Sequence, residues 1–258
     1  MDKDKQIQKI DKLSLKKLSE DSMLAKRGLR DLGIWPKIQT VLQEIEKLYF
    51  AHNYQACLDL CNELLSTEPH SFSIITFKGL SLTRLENYES AIICFDQLLE
   101  EKADFEIALS NKGFCLLKLE KYHEAVTFLK KALSLFPENP ITLSNFGYCC
   151  ESIGDYEGAI KVYEKALSLD PENIYTLHDL GYAYDDIGQY EKAIEMYDRV
   201  LYLNPNFLTA IFNKGRTYEK MGKHSDAIDC YAKILSIDPN NIMAKKDIGR
   251  CELLIGQK

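Results

Sequence analysis

The sequence predicts an all-α solenoid of six helix-turn-helix units followed by a C-terminal capping helix. Three observations predict it. Residues 140–173, PITLSNFGYCCESIGDYEGAIKVYEKALSLDPEN, recur in pattern at 174–207 and again at 208–241, a period of 34 residues. A fixed period of this length marks a stack of identical supersecondary units. Within a unit, apolar or small residues fall at positions 4, 7, 8 and 11 and again at 20, 24, 27 and 28, which are two amphipathic helical stripes. The joints carry the residues that joints need. Gly154, Gly188 and Gly222 at position 15 suit a left-handed end to the first helix. Asp170-Pro171, Asn204-Pro205 and Asp238-Pro239 stop the second.

Taken in order, residues 1–37 do not match the repeat. Ile7, Ile10, Leu13, Leu15 and Leu18 spread around a helix instead of forming one stripe, and Trp35-Pro36 is expected to mark a boundary. The first unit, 38–71, is degenerate, with Ile45 for the position-8 Gly and Cys57 for the position-20 Ala. The second, 72–105, keeps Gly79, Tyr88, Ala91 and Phe95 but has Ala103 for the closing Pro, so its exit turn is expected to differ. The third, 106–139, keeps Gly113, Tyr122, Ala125, Ala132 and Pro137, and units 140–173, 174–207 and 208–241 match best. Residues 242–258 supply half of a seventh unit, expected to act as a helix that covers the last repeat. Gly at position 8 and Ala at position 20 remove bulk where the two helices cross, so their axes can approach.

These marks resemble the tetratricopeptide repeat, over about residues 38–258. The resemblance implies a right-handed superhelix with each first helix lining a concave groove. It also implies a non-catalytic interaction scaffold that holds a peptide or a partner helix. Two other readings stay open: a structural subunit that assembles with itself, and an RNA-binding helical repeat.

Charge bears on the last of these. The net charge of −7 divides into +4 for residues 1–37 and −11 for the rest. An acidic body argues against nucleic acid, because phosphate contacts need basic surface. The same asymmetry raises an expectation that the basic arm docks on the acidic groove in cis or in trans, set against the plainer reading of a flexible arm. No long apolar run or secretory leader is present, so neither a membrane span nor export is expected. The eight cysteines fall mainly at core positions and form no C-x-x-C pair. They read as small buried hydrophobes, with no metal, no cofactor and a reducing, cytoplasmic location. His52, His70, His123, His178 and His224 fall at unrelated positions, so no catalytic pair is specified.

The first-helix positions left outside the core stripes are 2, 5, 6, 9, 12 and 13, and these are expected to face the groove. Position 6 carries Asn111, Asn145, Asp179 and Asn213, after Gln43 and Phe77 in the first two units. An amide both donates and accepts, so a spaced row suits an extended peptide backbone. The row is similar to the asparagine ladder of some groove-binding repeats. Phe77, Phe114, Tyr148, Tyr175, Tyr182 and Phe212 are candidate aromatic anchors. Glu151, Asp179, Asp185 and Asp186 form an acidic middle, and Arg216, Lys220, Lys246 and Arg250 a basic end. The family's clamp for C-terminal carboxylates is excluded, since its position-5 lysine is replaced by Leu42, Thr76, Ser110, Ser144, His178 and Phe212.

Overall fold

The computed structural model describes residues 35–67 and 69–256. The described residues form thirteen helices and no strand. The chain divides into two compact blocks, Met1–Pro137 and Glu138–Lys258. The first contains α1 (Trp35–Phe50), α2 (Tyr54–Thr67), α3 (Phe72–Arg84), α4 (Tyr88–Glu101), α5 (Glu106–Lys118) and α6 (Tyr122–Leu135). The second contains α7 (Pro140–Ser152), α8 (Tyr156–Leu169), α9 (Ile174–Asp186), α10 (Tyr190–Leu203), α11 (Leu208–Lys220), α12 (His224–Ile237) and α13 (Ile242–Gly256). Nearly all of the basic arm, and with it the expected docking, lies outside the described residues. Helix α1 begins at Trp35, three residues before the expected unit. Pro36 does not prevent this, because a first-turn residue has no intrahelical N–H bond to lose.

In both blocks the odd-numbered helix of a hairpin ends in the same way. In α9 the amide of Gly188 reaches Asp185 O at 3.1 Å and that of Gln189 reaches Tyr184 O at 2.9 Å. This is the Schellman arrangement, which needs a left-handed residue at its centre. That residue is Gly154, Gly188 or Gly222 in the second block but His52, Glu86 or Glu120 in the first, all with φ between 58° and 87°. The even helices exit alike too. Lys102, which lacks the proline after it, has φ −139° and ψ 89°, beside −140° and 90° at Asn204. The exit turn expected to differ is therefore the same. Phe105 N–H bonds Lys102 O as Phe207 N–H bonds Asn204 O, so the backbone sets this turn without the proline.

Each hairpin is held by one recurring contact. The side chain at position 24 lies on the backbone at position 8: Phe95 on Gly79, Leu129 on Gly113, Tyr163 on Gly147, Tyr197 on Gly181, and Tyr231 on Gly215. All five of these side chains are fully buried. The first hairpin exchanges the sizes, with Ile45 at position 8 and Cys61 at position 24, both completely buried. Its Cys57 thiol donates to Ile45 O at 3.7 Å. Seven of the eight cysteines are buried and Cys230 is partly so. Between repeats, Lys112 pairs with Asp96 and Lys214 with Asp198. Lys131 and Arg199 donate to the carbonyls of Ala103 and Pro171 in the preceding turns.

A Cβ at Gly181 would stand 2.8 Å from the Tyr197 ring. Gly181→Leu is therefore expected to cost about 1–3 kcal/mol or more, the range for overpacked cores, read as a lowered denaturant midpoint. The left-handed position gives a prediction of opposite sign. Glu120→Gly relieves a residue at φ 58° and is expected to raise the thermal midpoint, by about 1 kcal/mol in stability. Gly222→Ala, at φ 73°, is expected to lower it by a similar amount.

Candidate functional site

The odd helices of the second block, α7, α9, α11 and α13, are the bearers of the expected site. Neighbouring odd helices touch directly, α7 with α9 and α9 with α11, so their outward residues form one continuous face. Asn145 and Tyr148 of α7 stand on it, with Tyr148 39% exposed. Asn145 is half-buried and makes no side-chain hydrogen bond with the described residues. On α9, Asp179 and Tyr182 are half-buried and Asp186 is exposed. Asp186 lies beside Tyr156, and its charge raises the pKa of that phenol.

A histidine joins two of the position-6 residues. Asn213 Nδ2 donates to His178 Nε2 at 2.9 Å, and His178 Nδ1–H then donates to Asp179 Oδ1 at 3.1 Å. The repeat pattern gave no signal for His178, because histidine stands at position 5 in one unit alone. Phe212 is half-buried with its ring 5.8 Å from that of Tyr231, so it supports the core contact as much as the face.

Several charged candidates already have partners. Asp185 is only 7% exposed, accepts from Thr217 Oγ1 at 2.9 Å, and pairs with Lys220. Arg250 grips Glu219 with two nitrogens, Nη2 at 2.7 Å and Nε at 3.0 Å, and meets Asp247 at 2.9 Å. Arg216 is exposed. The acidic patch left with no lysine or arginine partner among the described residues is Glu151, Asp179 and Asp186, with His178 beside Asp179. Burial, followed by Asp179, pushes the Glu151 carboxyl up to about 8; the Tyr163 hydroxyl, donating at 3.1 Å, opposes this and Asp186 reinforces it.

The first block holds the remaining candidates. Asn111 donates to Ile107 O of its own helix at 2.8 Å. Phe114 is half-buried, edge-on to Tyr88, with the Lys118 ammonium 5.6 Å from its ring centroid. Phe77, expected on the groove face, is instead 2% exposed and packs on Tyr49. The degenerate first hairpin turns Tyr49 inward at the place where Phe77 meets it.

Among the described residues no helix is long and apolar enough to cross a membrane. No curated protein sequence matches the chain. Among solved structures, the chain is similar to YrrB, described as a tetratricopeptide-repeat protein with an unusual peptide-binding site. The two are 19% identical with a TM-score of 0.63, over 72% of this chain and 96% of that one. It is similar also to PilF of Pseudomonas aeruginosa, at 16% identity and TM-score 0.68 over 81% and 95%. MamA of Desulfovibrio magneticus RS-1 gives 22% and 0.59 over 66% and 96%. At these identities the likeness concerns the fold. Four family models, each described as tetratricopeptide repeat, match residues 73–105, 104–172, 152–213 and 209–241. The chain belongs to the tetratricopeptide-repeat family.

Proposed function

We propose that this protein is a non-catalytic scaffold that holds an extended partner segment against the odd-helix face of its second block. One observation carries the reading. On that face Asn145, Tyr148 and Tyr182 keep accessible polar and aromatic surface beside acidic side chains that no lysine or arginine pairs among the described residues, while Asp185 and Arg250 are spent on internal pairs. Asn145 and Asn213 supply amides to a partner backbone, and Tyr148 and Tyr182 supply anchors. Asp179 and Asp186 supply a preference for positive charge, with Arg216 offering the opposite charge further along. Asn111 and Phe114 provide a second, smaller patch of the same kind on the first block. The peptide-binding site named for YrrB agrees with a binding role for this fold without locating it here.

Self-assembly is a second reading with its own observation. Helix α13 buries Ala244 and Cys251 but leaves Ile242 80%, Met243 60% and Leu253 68% exposed. Mass by light scattering over a concentration series decides it, and a concentration-independent monomer removes it.

The scaffold reading is tested by affinity capture with wild-type protein, followed by calorimetry on the captured partner. Tyr148→Ala is expected to weaken binding by about 2 kcal/mol, as for an interface anchor. Asn145→Ala is expected to cost about 0.5–1.5 kcal/mol, the net value of an ordinary hydrogen bond. Tyr202→Ser, on an even helix where the ring is 87% exposed, is the control and should bind normally. Loss of binding in the control with retention in both odd-helix variants would place the partner on the other face.

A further inference from the structure

The second block contains its own template for the acidic patch. Position 12 is acidic in three successive repeats: Glu151, Asp185 and Glu219. Glu219 receives the Tyr231 hydroxyl at 2.5 Å and the two-pronged Arg250, which comes from position 9 of the following helix. Burial acts to raise the Glu219 pKa, but the hydrogen bonds from Arg250 and Tyr231 outweigh it and hold the carboxyl below its ordinary value. Asp185 is neutralised from position 13 of the following helix, by Lys220. Glu151 receives the same tyrosine hydroxyl, from Tyr163, but the two places that supply a cation elsewhere hold Tyr182 and Asp186. One acid of the three thus has its hydroxyl and lacks its base.

A second observation comes from the core. Tyr197 is completely buried and its hydroxyl has no hydrogen-bond partner among the described residues. Its counterparts Tyr163 and Tyr231 each donate to the position-12 glutamate of their own hairpin. In the Tyr197 hairpin that residue is Asp185, one methylene shorter and occupied by Thr217 and Lys220. Burial raises the pKa of the Tyr197 phenol, and Asp185, Asp186, Tyr182 and Glu151 add to this, so the hydroxyl lies in the negative field of these acids. An orphaned buried hydroxyl loses its hydration with nothing in return.

We propose that Glu151, Asp179 and Asp186, walled by Tyr148 and Tyr182, form a guanidinium site that takes one arginine side chain of the partner. That arginine occupies the place that Arg250 fills from within the chain beside Glu219. The proposal rests on the odd-helix reading above and specifies its ligand. Arginine fits better than lysine for two reasons. Its planar fork makes paired bonds to a carboxylate, as Arg250 does, and it stacks on tyrosine faces. A metal ion is a poorer match, since among the described residues no three His, Cys, Asp or Glu side chains stand close enough together to hold one.

The test uses the whole protein and a nine-residue, acetylated and amidated Gly/Ser peptide with one central arginine, beside versions with lysine or glutamine there. Side-chain carboxyl and tyrosine ring resonances are followed by NMR across pH. The arginine peptide is expected to shift Tyr182 and to move the Glu151 titration from about 8 to below 7, releasing a proton seen by calorimetry in two buffers. The glutamine peptide should do neither, and the lysine peptide should bind at least fivefold more weakly. Glu151→Gln should weaken the arginine peptide at least tenfold.

Tyr182→Arg is the complementary variant, because it supplies the missing base from within. It should abolish binding of the arginine peptide. It should also change how stability depends on pH. A carboxyl whose folded pKa is raised favours the native state at low pH and loses that contribution as pH rises through its folded value. The wild-type thermal midpoint is therefore expected to fall between pH 5 and 9. The titratable groups around Glu151 over that span are Tyr156, Tyr163, Asp179, Tyr182, Asp186 and Tyr197, with His178 beside Asp179. In Tyr182→Arg the fall should shrink. Equal binding of the three peptides, or an arginine peptide that leaves Glu151 unmoved, overturns the site. If the captured partner still depends on Tyr148 and Asn145 in that case, the scaffold reading stands alone. If it does not, both fall.

Discussion

Within each hairpin, everything rests on the seating of one side chain against the backbone of the opposite helix. Position 8 has no side chain in five hairpins, and the ring or leucine from position 24 occupies that space. This contact sets how close the helices lie. Closeness in turn decides which first-helix residues are covered and which are left on the odd-helix face. The core and the candidate site are therefore one construction. A tyrosine that fills the notch delivers its hydroxyl to position 12, at the edge of the face. Tyr163 and Tyr231 do so, and the acid each meets is the one whose charge then has to be balanced.

Balance is where the repeats of the second block diverge. They share a backbone register and very similar cores, yet differ in the side chains at positions 9, 12 and 13. Arg250 completes one cluster, Lys220 completes another, and the cluster around Glu151 is left acidic. A repeat protein makes such differences informative, since geometry is nearly constant from one copy to the next. The chemistry at each step can be compared with its neighbour as though one position had been substituted.

The fold was legible because it follows from period and small residues. Gly147, Ala159 and Gly154 each have a local steric reason, and a steric reason survives without knowledge of the neighbours. The turn after α4 was misread because its proline is only one way to stop a helix, and the backbone bond from Phe105 suffices. Phe77 was misread because positions 5 and 6 are accessible only where the neighbouring repeat is regular, and its neighbour is not. At the candidate site, the residue types were visible but their pairings were not. Asp185 and Arg250 looked like free charges because Thr217 and Lys220, which hold the first, and Glu219, which the second grips with two nitrogens, lie 31 to 35 residues away. The role of His178 and the unpartnered hydroxyl of Tyr197 depend on packing between repeats, for which a single unit carries no mark.

The exchanged sizes in the first hairpin have a consequence for assembly of the chain itself. Near-identical hairpins run the risk of pairing the wrong helices as they fold. Ile45 opposite Cys61 works, and Gly147 opposite Tyr163 works, but the crossed combinations do not. Helix α1 against α8 would force isoleucine into tyrosine, and α2 against α7 would leave a hole where both residues are small. Leu129 gives the third hairpin a different fit again. The shape of the notch thus sets the first hairpin apart from the Gly–Tyr hairpins of the second block, in a chain whose sequence otherwise repeats.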